Sequence, residues 1–354
     1  MPLAFAYDML PSRVVFGVGC LEKLPEEIER VGAHRALVLS TPEQRSQGQE
    51  IADRLGDRAV GLFDKAVMHV PIEIAEQARE RAKTMDADCC VAIGGGSTTG
   101  LAKAIALVST LPILAIPTTY AGSEMTPIWG ITEGGLKKTG RDPRVLPKTV
   151  LYDAALTLTL PPALSATSGM NSIAHCVEAL YSKDANPIIS MLAEEGIRAL
   201  GAGLPLVIKD PTNLEARSNA LYGAWLGGVS LGSVGMALHH KLCHTLGGSF
   251  NLPHAETHTV ILPHAAAYTA PSAPEAMSRI ARALNAKSAS QGLFRLASSL
   301  GAPTSLEAIG MKAADLDRAA DLAVQNPYYN PQPITREGIR ALLQDAFEGK
   351  RPAA

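Results

Sequence analysis

His240, His244 and His254 stand in the run HHKLCHTLGGSFNLPH, and upstream the segment NSIAHCVEAL places Asn171 and His175 four residues apart. Helical residues four apart share a face. The pairs Asn171/His175 and His240/His244 therefore present four polar side chains from two otherwise apolar segments, the geometry a divalent transition metal needs. One of the four is wrong for that purpose. An ionised Asp at 171 would supply a charged oxygen, whereas Asn171 offers only a neutral amide oxygen. These residues describe a metal-type site able to work without the metal. Cys20, Cys89, Cys90, Cys176 and Cys243 form no CxxC pair and lie in apolar segments, so they are expected to be reduced core residues. Cys176 and Cys243 adjoin histidines, but adjacent helical positions point about 100° apart, which argues against a ligand role.

A second chemistry is written after the run CVAIGG. The sequence GGGSTTGLAKAIAL opens a helix with Gly94, Gly95, Gly96 and Ser97, where free backbone N–H groups and the helix dipole can receive a pyrophosphate. The full G-x-G-x-x-G fingerprint is absent, so an ordinary tight βα turn is the alternative. The next run, PILAIPTTYAGSEMTPIWGIT, brings Thr118, Thr119, Tyr120 and Ser123 to the same carboxyl edge, where open α/β sheets bind ligands. Two polar loops on neighbouring strand ends favour a nucleotide site.

The elements that must hold these residues follow from patterning. RALVLS (35–40), AVGLF (59–63), DCCVAIGG (88–95) and PILAIPTT (112–119) alternate with helical segments such as IEIAEQARERAKTM, which predicts a Rossmann-like parallel sheet covered by helices. From about Asp153 onward β-branched runs nearly vanish and Ala/Leu-rich helical stretches take over. The expected organisation is an α/β domain over 1–155 and an all-α domain over 156–354, with Pro161 and Pro162 at the linker and first helical turn. The chain has 354 residues, 47% hydrophobic and 19% charged, which describes a well-buried globular protein. Its net charge of -2 argues against a nucleic-acid partner. Apolar runs such as 224–238 fall short of the roughly 18 residues of a membrane span, and the N-terminus lacks a basic region before an apolar stretch. The expectation is a cytoplasmic protein with no membrane partner.

At GGGS, TTYAGSE, the Asn171/His175 helix and HHKLCHTLGGSFNLPH the chain resembles the iron-containing, group III alcohol dehydrogenase family, whose fold is of the dehydroquinate synthase type. Through TTYAGSEMTPIWGIT, GRDPRVLPKTVLYD and NPYYNPQPITREGIR it is most similar to the maleylacetate-reductase branch. The resemblance implies an N-terminal NAD(P)-binding domain, a helical C-terminal domain, an active site in the cleft between them, and a homodimer. It also implies that the metal ligands of relatives, an Asp and three His, correspond to Asn171, His175, His240 and His254, with His244 close to nicotinamide and substrate. The maleylacetate-reductase branch is regarded as working without a metal, in agreement with Asn171. An Asp that opposes a 2′-phosphate in NAD-specific relatives is matched here by Thr41, so both NADH and NADPH are expected.

The implied reaction reduces the C=C bond of maleylacetate, a dicarboxylate, to give 3-oxoadipate in aromatic-compound catabolism. His240 and His244 are assigned to oxyanion stabilisation and protonation, with Lys241 within the same turn but on another face. His254 and His175 follow as proton donors with pKa values near neutrality, and Asn171 as a group that orients His175 or a carboxylate. Lys138, Arg141, Lys241 and Arg336, with the hydroxyls of Tyr120 and Tyr328, are candidates for the substrate carboxylates. Three rivals differ in class: a metal-dependent dehydrogenase of small alcohols or aldehydes, a sugar-phosphate cyclase, and a non-catalytic nucleotide-binding protein. The cyclase would demand a basic phosphate cluster around 175–265, and none is evident.

Overall fold

A computed structural model describes residues 5–353. Met9–Leu160 forms one compact unit, and the chain from Pro161 onward forms the other. In the first unit the strands are β1 (Arg13–Phe16), β2 (Ala36–Leu39), β3 (Ala59–Phe63), β4 (Cys89–Gly94), β5 (Ile113–Pro117), β6 (Ile128–Glu133), β7 (Leu136–Arg141) and β8 (Thr149–Tyr152). Its helices are α1 (Leu24–Arg30), α2 (Arg45–Leu55), α3 (Ile72–Thr84) and α4 (Gly96–Ser109). Six strands form one sheet in the order β1-β8-β5-β4-β2-β3, all paired parallel.

The sequences of β2, β4 and β5 are continuous apolar runs, and every residue in them is buried. Only a sheet covered on both faces accepts such strands. The covering helices are amphipathic by spacing: α3 turns Ala75, Ala78 and Ala82 inward and leaves its Glu and Arg residues outside. Strand order reverses between β2 and β4, since β2 leads outward to β3 whereas β4 leads to β5 on the other side. The carboxyl ends at that reversal form the crevice in which such sheets bind ligands.

The four strands expected from sequence are β2 to β5. Sequence patterning missed β1 and β8, four residues each, and the antiparallel pair β6–β7. That pair turns on Gly134 and Gly135, with φ of 56° and 76°, as a two-residue hairpin with both central residues left-handed requires.

The second unit is helical: α5 (Pro162–Ala179), α6 (Pro187–Lys209), α7 (Leu214–Ser233), α8 (Leu238–Phe250), α9 (His254–Thr269), α10 (Pro274–Ala283), α11 (Ala289–Ser299), α12 (Leu316–Ala323) and α13 (Arg336–Glu348). Pro162 occupies the first turn of α5, where a missing N–H costs little. Asn186 and Asn213 cap α6 and α7 through side-chain oxygens that accept from Ile189 N at 3.1 Å and Ala216 N at 3.0 Å. α5 is buried almost all round, so it is the central helix of this unit. The break between units falls after Leu160 rather than at 155. The reason is Asp153, whose carboxylate accepts from Ala155 N at 3.1 Å and Leu21 N at 3.4 Å, holding the turn after β8 to the α/β unit. Among the described residues no single helix is long and apolar enough to cross a membrane; α7 and α8 meet both conditions only together, as a pair bent by 94°.

Candidate functional site

The carboxyl edge of β2, β4 and β5 is built around close backbone approach. Gly94 has φ +143°, and a Cβ there would lie 2.4 Å from Thr98 Oγ1 and 2.7 Å from Gln44 Oε1. A Cβ on Gly95 would meet Thr119 at 3.0 Å, whereas Gly96 faces open space. No side chain caps α4, so its first N–H groups, at Gly96 and Ser97, remain available to an anion. Gln44 Nε2 donates to Thr118 Oγ1 at 2.9 Å, and Gln44 N donates to Thr41 Oγ1 at 3.3 Å. The Thr41 hydroxyl thus closes its own turn and leaves the position without a carboxylate.

Beneath this edge, Lys103 is fully buried, and its Nζ donates to the carbonyls of Ser123 (2.7 Å), Thr126 (2.8 Å) and Ile128 (2.8 Å). Burial pulls its pKa down to about 7, with Glu124 opposing. Tyr152 donates to Glu124 Oε1 at 2.8 Å, and burial pushes that carboxyl up. Together these groups fix the segment after Tyr120. Tyr120 itself is fully buried, so it belongs to the floor and is corrected from a contact residue to a framing one. Sequence reasoning also missed Gln44 and Lys103.

In the helical unit, Asn171, His175 and Glu178 share a face of α5. Glu178 is fully buried, with Oε2 2.6 Å from His240 Nδ1, and its carboxylate also accepts from the backbone N of Ala237 (2.7 Å) and His239 (2.6 Å). With Nδ1–H donated to Glu178, His240 turns Nε2 outward as an acceptor. His175 stacks on His240 with centroids 5.2 Å apart, and His239 Nε2 lies 2.9 Å from His258 Nδ1. The exposed His254 packs its ring 4.4 Å from that of His258. His244 Nδ1 pairs with Tyr328 Oη at 3.1 Å, and Lys241 Nζ lies 5.9 Å from the Tyr328 ring centre. Asn171 Oδ1, His175 Nδ1, His239 Nδ1, His240 Nε2 and His258 Nε2 are buried without a hydrogen-bond partner. Such atoms are costly unless function uses them.

Family models match residues 11–154, described as iron-containing alcohol dehydrogenase, and 165–347, described as the C-terminal part of the Fe-containing alcohol dehydrogenase family. The chain belongs to the iron-containing alcohol dehydrogenase family. Among curated members it is 60% identical over 350 residues to a maleylacetate reductase of Burkholderia cepacia, covering 99% of each chain. It is 58% identical over 350 residues to one of Sphingobium indicum, again with 99% of each covered. The crystal structure of maleylacetate reductase from Agrobacterium tumefaciens superposes with a TM-score of 0.96 at 54% identity, covering 99% of both chains.

The family name implies iron, and the unpartnered donors here are imidazole nitrogens with one neutral amide oxygen. The unpartnered atoms of Asn171, His175 and His240 are all neutral, and the one carboxylate, Glu178, is occupied by three donors. Imidazole nitrogens suit iron, zinc and copper, and an ion bound there would have Glu178 one imidazole away as its anion. His239, His240 and His258 offer nitrogens within 4.8 Å of one another, donors that suit iron, zinc or copper, but two of these rings already share a hydrogen bond.

Several expectations change here. His175 was expected to titrate near neutrality as a proton donor; burial, then His240 and His254, push its pKa well below the ordinary value, which favours its neutral form. Burial does the same to His239 and His258. Arg336 is paired with Asp321 at 2.6 Å and Asp317 at 3.3 Å, and Lys138 with Glu133 on the exposed β7; both are spoken for. Arg141 ends β7, exposed and in the α/β unit. Cys243 Sγ lies 3.7 Å from His239 Nε2, four residues back, and all five cysteines are free and buried. Glu178 was missed, although its position three residues after His175 on an apolar helix was a signal.

Proposed function

We propose that the chain is an NAD(P)H-dependent oxidoreductase that reduces the C=C bond of maleylacetate to give 3-oxoadipate, in the breakdown of aromatic compounds. The full-length 60% identity to a maleylacetate reductase carries this reading, and the site chemistry supports it. Bound NAD(P)H supplies the hydride, and the uncapped start of α4 beside Gly94–Gly96 suits its pyrophosphate. The alkene of maleylacetate is conjugated with its ketone, so addition to the carbon two bonds from the carbonyl leaves an enolate. This needs a donor at oxygen and a proton at carbon. His240, held on Glu178 through Nδ1, presents Nε2 to the oxygen. His244, paired with Tyr328 Oη, and the exposed His254 are the candidates to supply the proton to carbon. Asn171, His175, His239 and His258 hold the rings in place.

We further propose turnover without a metal, because Asn171 supplies no charge. A metal-dependent alcohol dehydrogenase is the second reading, favoured by the family's iron and the unpartnered nitrogens. NADH and NADPH oxidation with maleylacetate, after dialysis against a strong chelator and assay for iron and zinc, separates them. Undiminished turnover with both cofactors is expected. Activity restored only by metal, or only with simple aldehydes, selects the second reading. A cytoplasmic homodimer completes the proposal, and light scattering at twice the chain mass tests its oligomeric part.

A further inference from the structure

A dicarboxylate must be gripped at both ends, and of the arginine and lysine positions suggested by sequence alone Lys138 and Arg336 are ion-paired elsewhere. The helical unit carries a cavity of about 300 Å³ lined by Lys183, Gly235, Met236, Tyr328 and Tyr329. Tyr328 is the wall this cavity shares with the reaction chemistry, since its Oη bonds His244 at 3.1 Å and its ring lies beside Lys241 Nζ.

Lys183 is exposed, follows α5 in the turn before Asn186, and makes no ion pair among the described residues. Its position is fixed by its neighbours. Ser182 Oγ donates to Gly235 O at 2.7 Å, and Asp184 Oδ2 accepts from Gly235 N at 3.2 Å. These two bonds clamp the turn to the segment before α8, and the second occupies the nearest acid. A Cβ at Gly235 would lie 4.0 Å from Lys183 Cε and 3.2 Å from Asp184 Oδ2, so a side chain there would crowd Asp184 at this wall. An unpaired ammonium is thus held at a cavity walled by two tyrosines, with Lys241 on the same tyrosine. That is the composition of a carboxylate seat.

We propose that this cavity seats one carboxylate of the substrate, with Lys183 as its direct cationic partner and Lys241 reinforcing the positive field across Tyr328. The inference rests on the dicarboxylate reading above and names the residue that selects for it.

Lys183→Met and Lys183→Arg test it, with Lys183 on the surface and outside the packed core. The expected result for Lys183→Met is a KM for maleylacetate raised on the order of tenfold, with kcat within about twofold and the KM values for NADH and NADPH unchanged. Lys183→Arg restores most of the loss, and added salt raises the wild-type KM more than that of Lys183→Met. With an analogous 4-oxo-2-enoate carrying a single carboxylate, wild type and Lys183→Met differ less. Equal maleylacetate KM values for wild type and Lys183→Met overturn the seat, as does an effect confined to NADPH, which would assign the cavity to a cofactor phosphate. Should the wild type not turn over maleylacetate, the functional reading fails separately. Calorimetry with adipate, an unreactive dicarboxylate, still decides the seat: binding weakened by Lys183→Met upholds it, and binding unchanged by the substitution, or no binding to either protein, removes it.

Discussion

Glu178 satisfies two backbone N–H groups at the start of α8 and orients His240 with the same carboxylate. Glu178→Gln keeps the shape but replaces one acceptor oxygen with an NH2 that faces donors. Removing one member of a buried charged network costs about 3–5 kcal/mol when nothing compensates, and an amide should cost somewhat less. We expect kcat to fall roughly a hundredfold, as for other positioned electrostatic groups, together with a lower urea midpoint; unchanged kcat in a folded variant would remove Glu178 from the machinery. Asn171→Asp makes the complementary change, adding the missing charge. It should take up iron or zinc that the wild type leaves in solution, read by elemental analysis, and equal metal content in both would show that the amide is not what discriminates. At this scale the sequence was legible where spacing was regular. Asn171, His175, His240 and His244 announce themselves four apart, and the structure gathers His175, His240 and His244 with their partners. His239 and His258 were not singled out from the sequence, because their pairing joins α8 to α9, a contact that no single-helix periodicity encodes.

Strands β2 to β5 were legible as apolar runs because a doubly covered sheet demands them. Strand β1 was not, since it is an edge strand with mixed burial; β8 is as short and as buried as β2, and its apolar run was overlooked. The β6–β7 hairpin had a signal in Gly134–Gly135, hidden by exposed polar residues along β7. The glycine loop was read as a pyrophosphate seat, and the structure shows Gly94 in close approach to Thr98 and Gln44, and Gly95 to Thr119. Gly94→Ala sets a methyl against both and forces an unfavourable φ. We expect a rise of tenfold or more in Kd for NADH, followed by fluorescence titration, with the helical unit and its stability little changed. Equal affinity would show that this turn does not shape the cofactor site.

The histidines buried as neutral groups give the whole molecule an acid limit. His264 is 4% exposed, and burial lowers its pKa to about 4 from an ordinary 6.5, with Asp345 opposing. The unfolded chain therefore binds a proton between pH 6.5 and 4 that the folded chain refuses, so stability is full above 6.5 and falls as pH drops through that window. For this residue the loss is roughly 3 kcal/mol at most. His175, His239 and His258 are depressed in the same direction, so the decline should exceed that of a single proton. Urea unfolding from pH 7.5 to 4.5 measures it, and His264→Leu should flatten the acid side; a wild-type profile without slope would mean these rings find protons in the folded state. Two units, each with its own buried core, were legible from the change in composition near Asp153. The placement of the break was not, because it depends on the hydrogen bonds Asp153 makes backwards to the α/β unit. The amide at 171 has one more implication, for descent rather than for chemistry. Asn and Asp have nearly the same shape and codons that differ by one base, so a carboxylate at that position is a single mutation away, whereas dismantling the histidine cluster would take several. Variation around this chain is thus lopsided: recruiting a metal is a short step, and losing the site that would receive it is a long one.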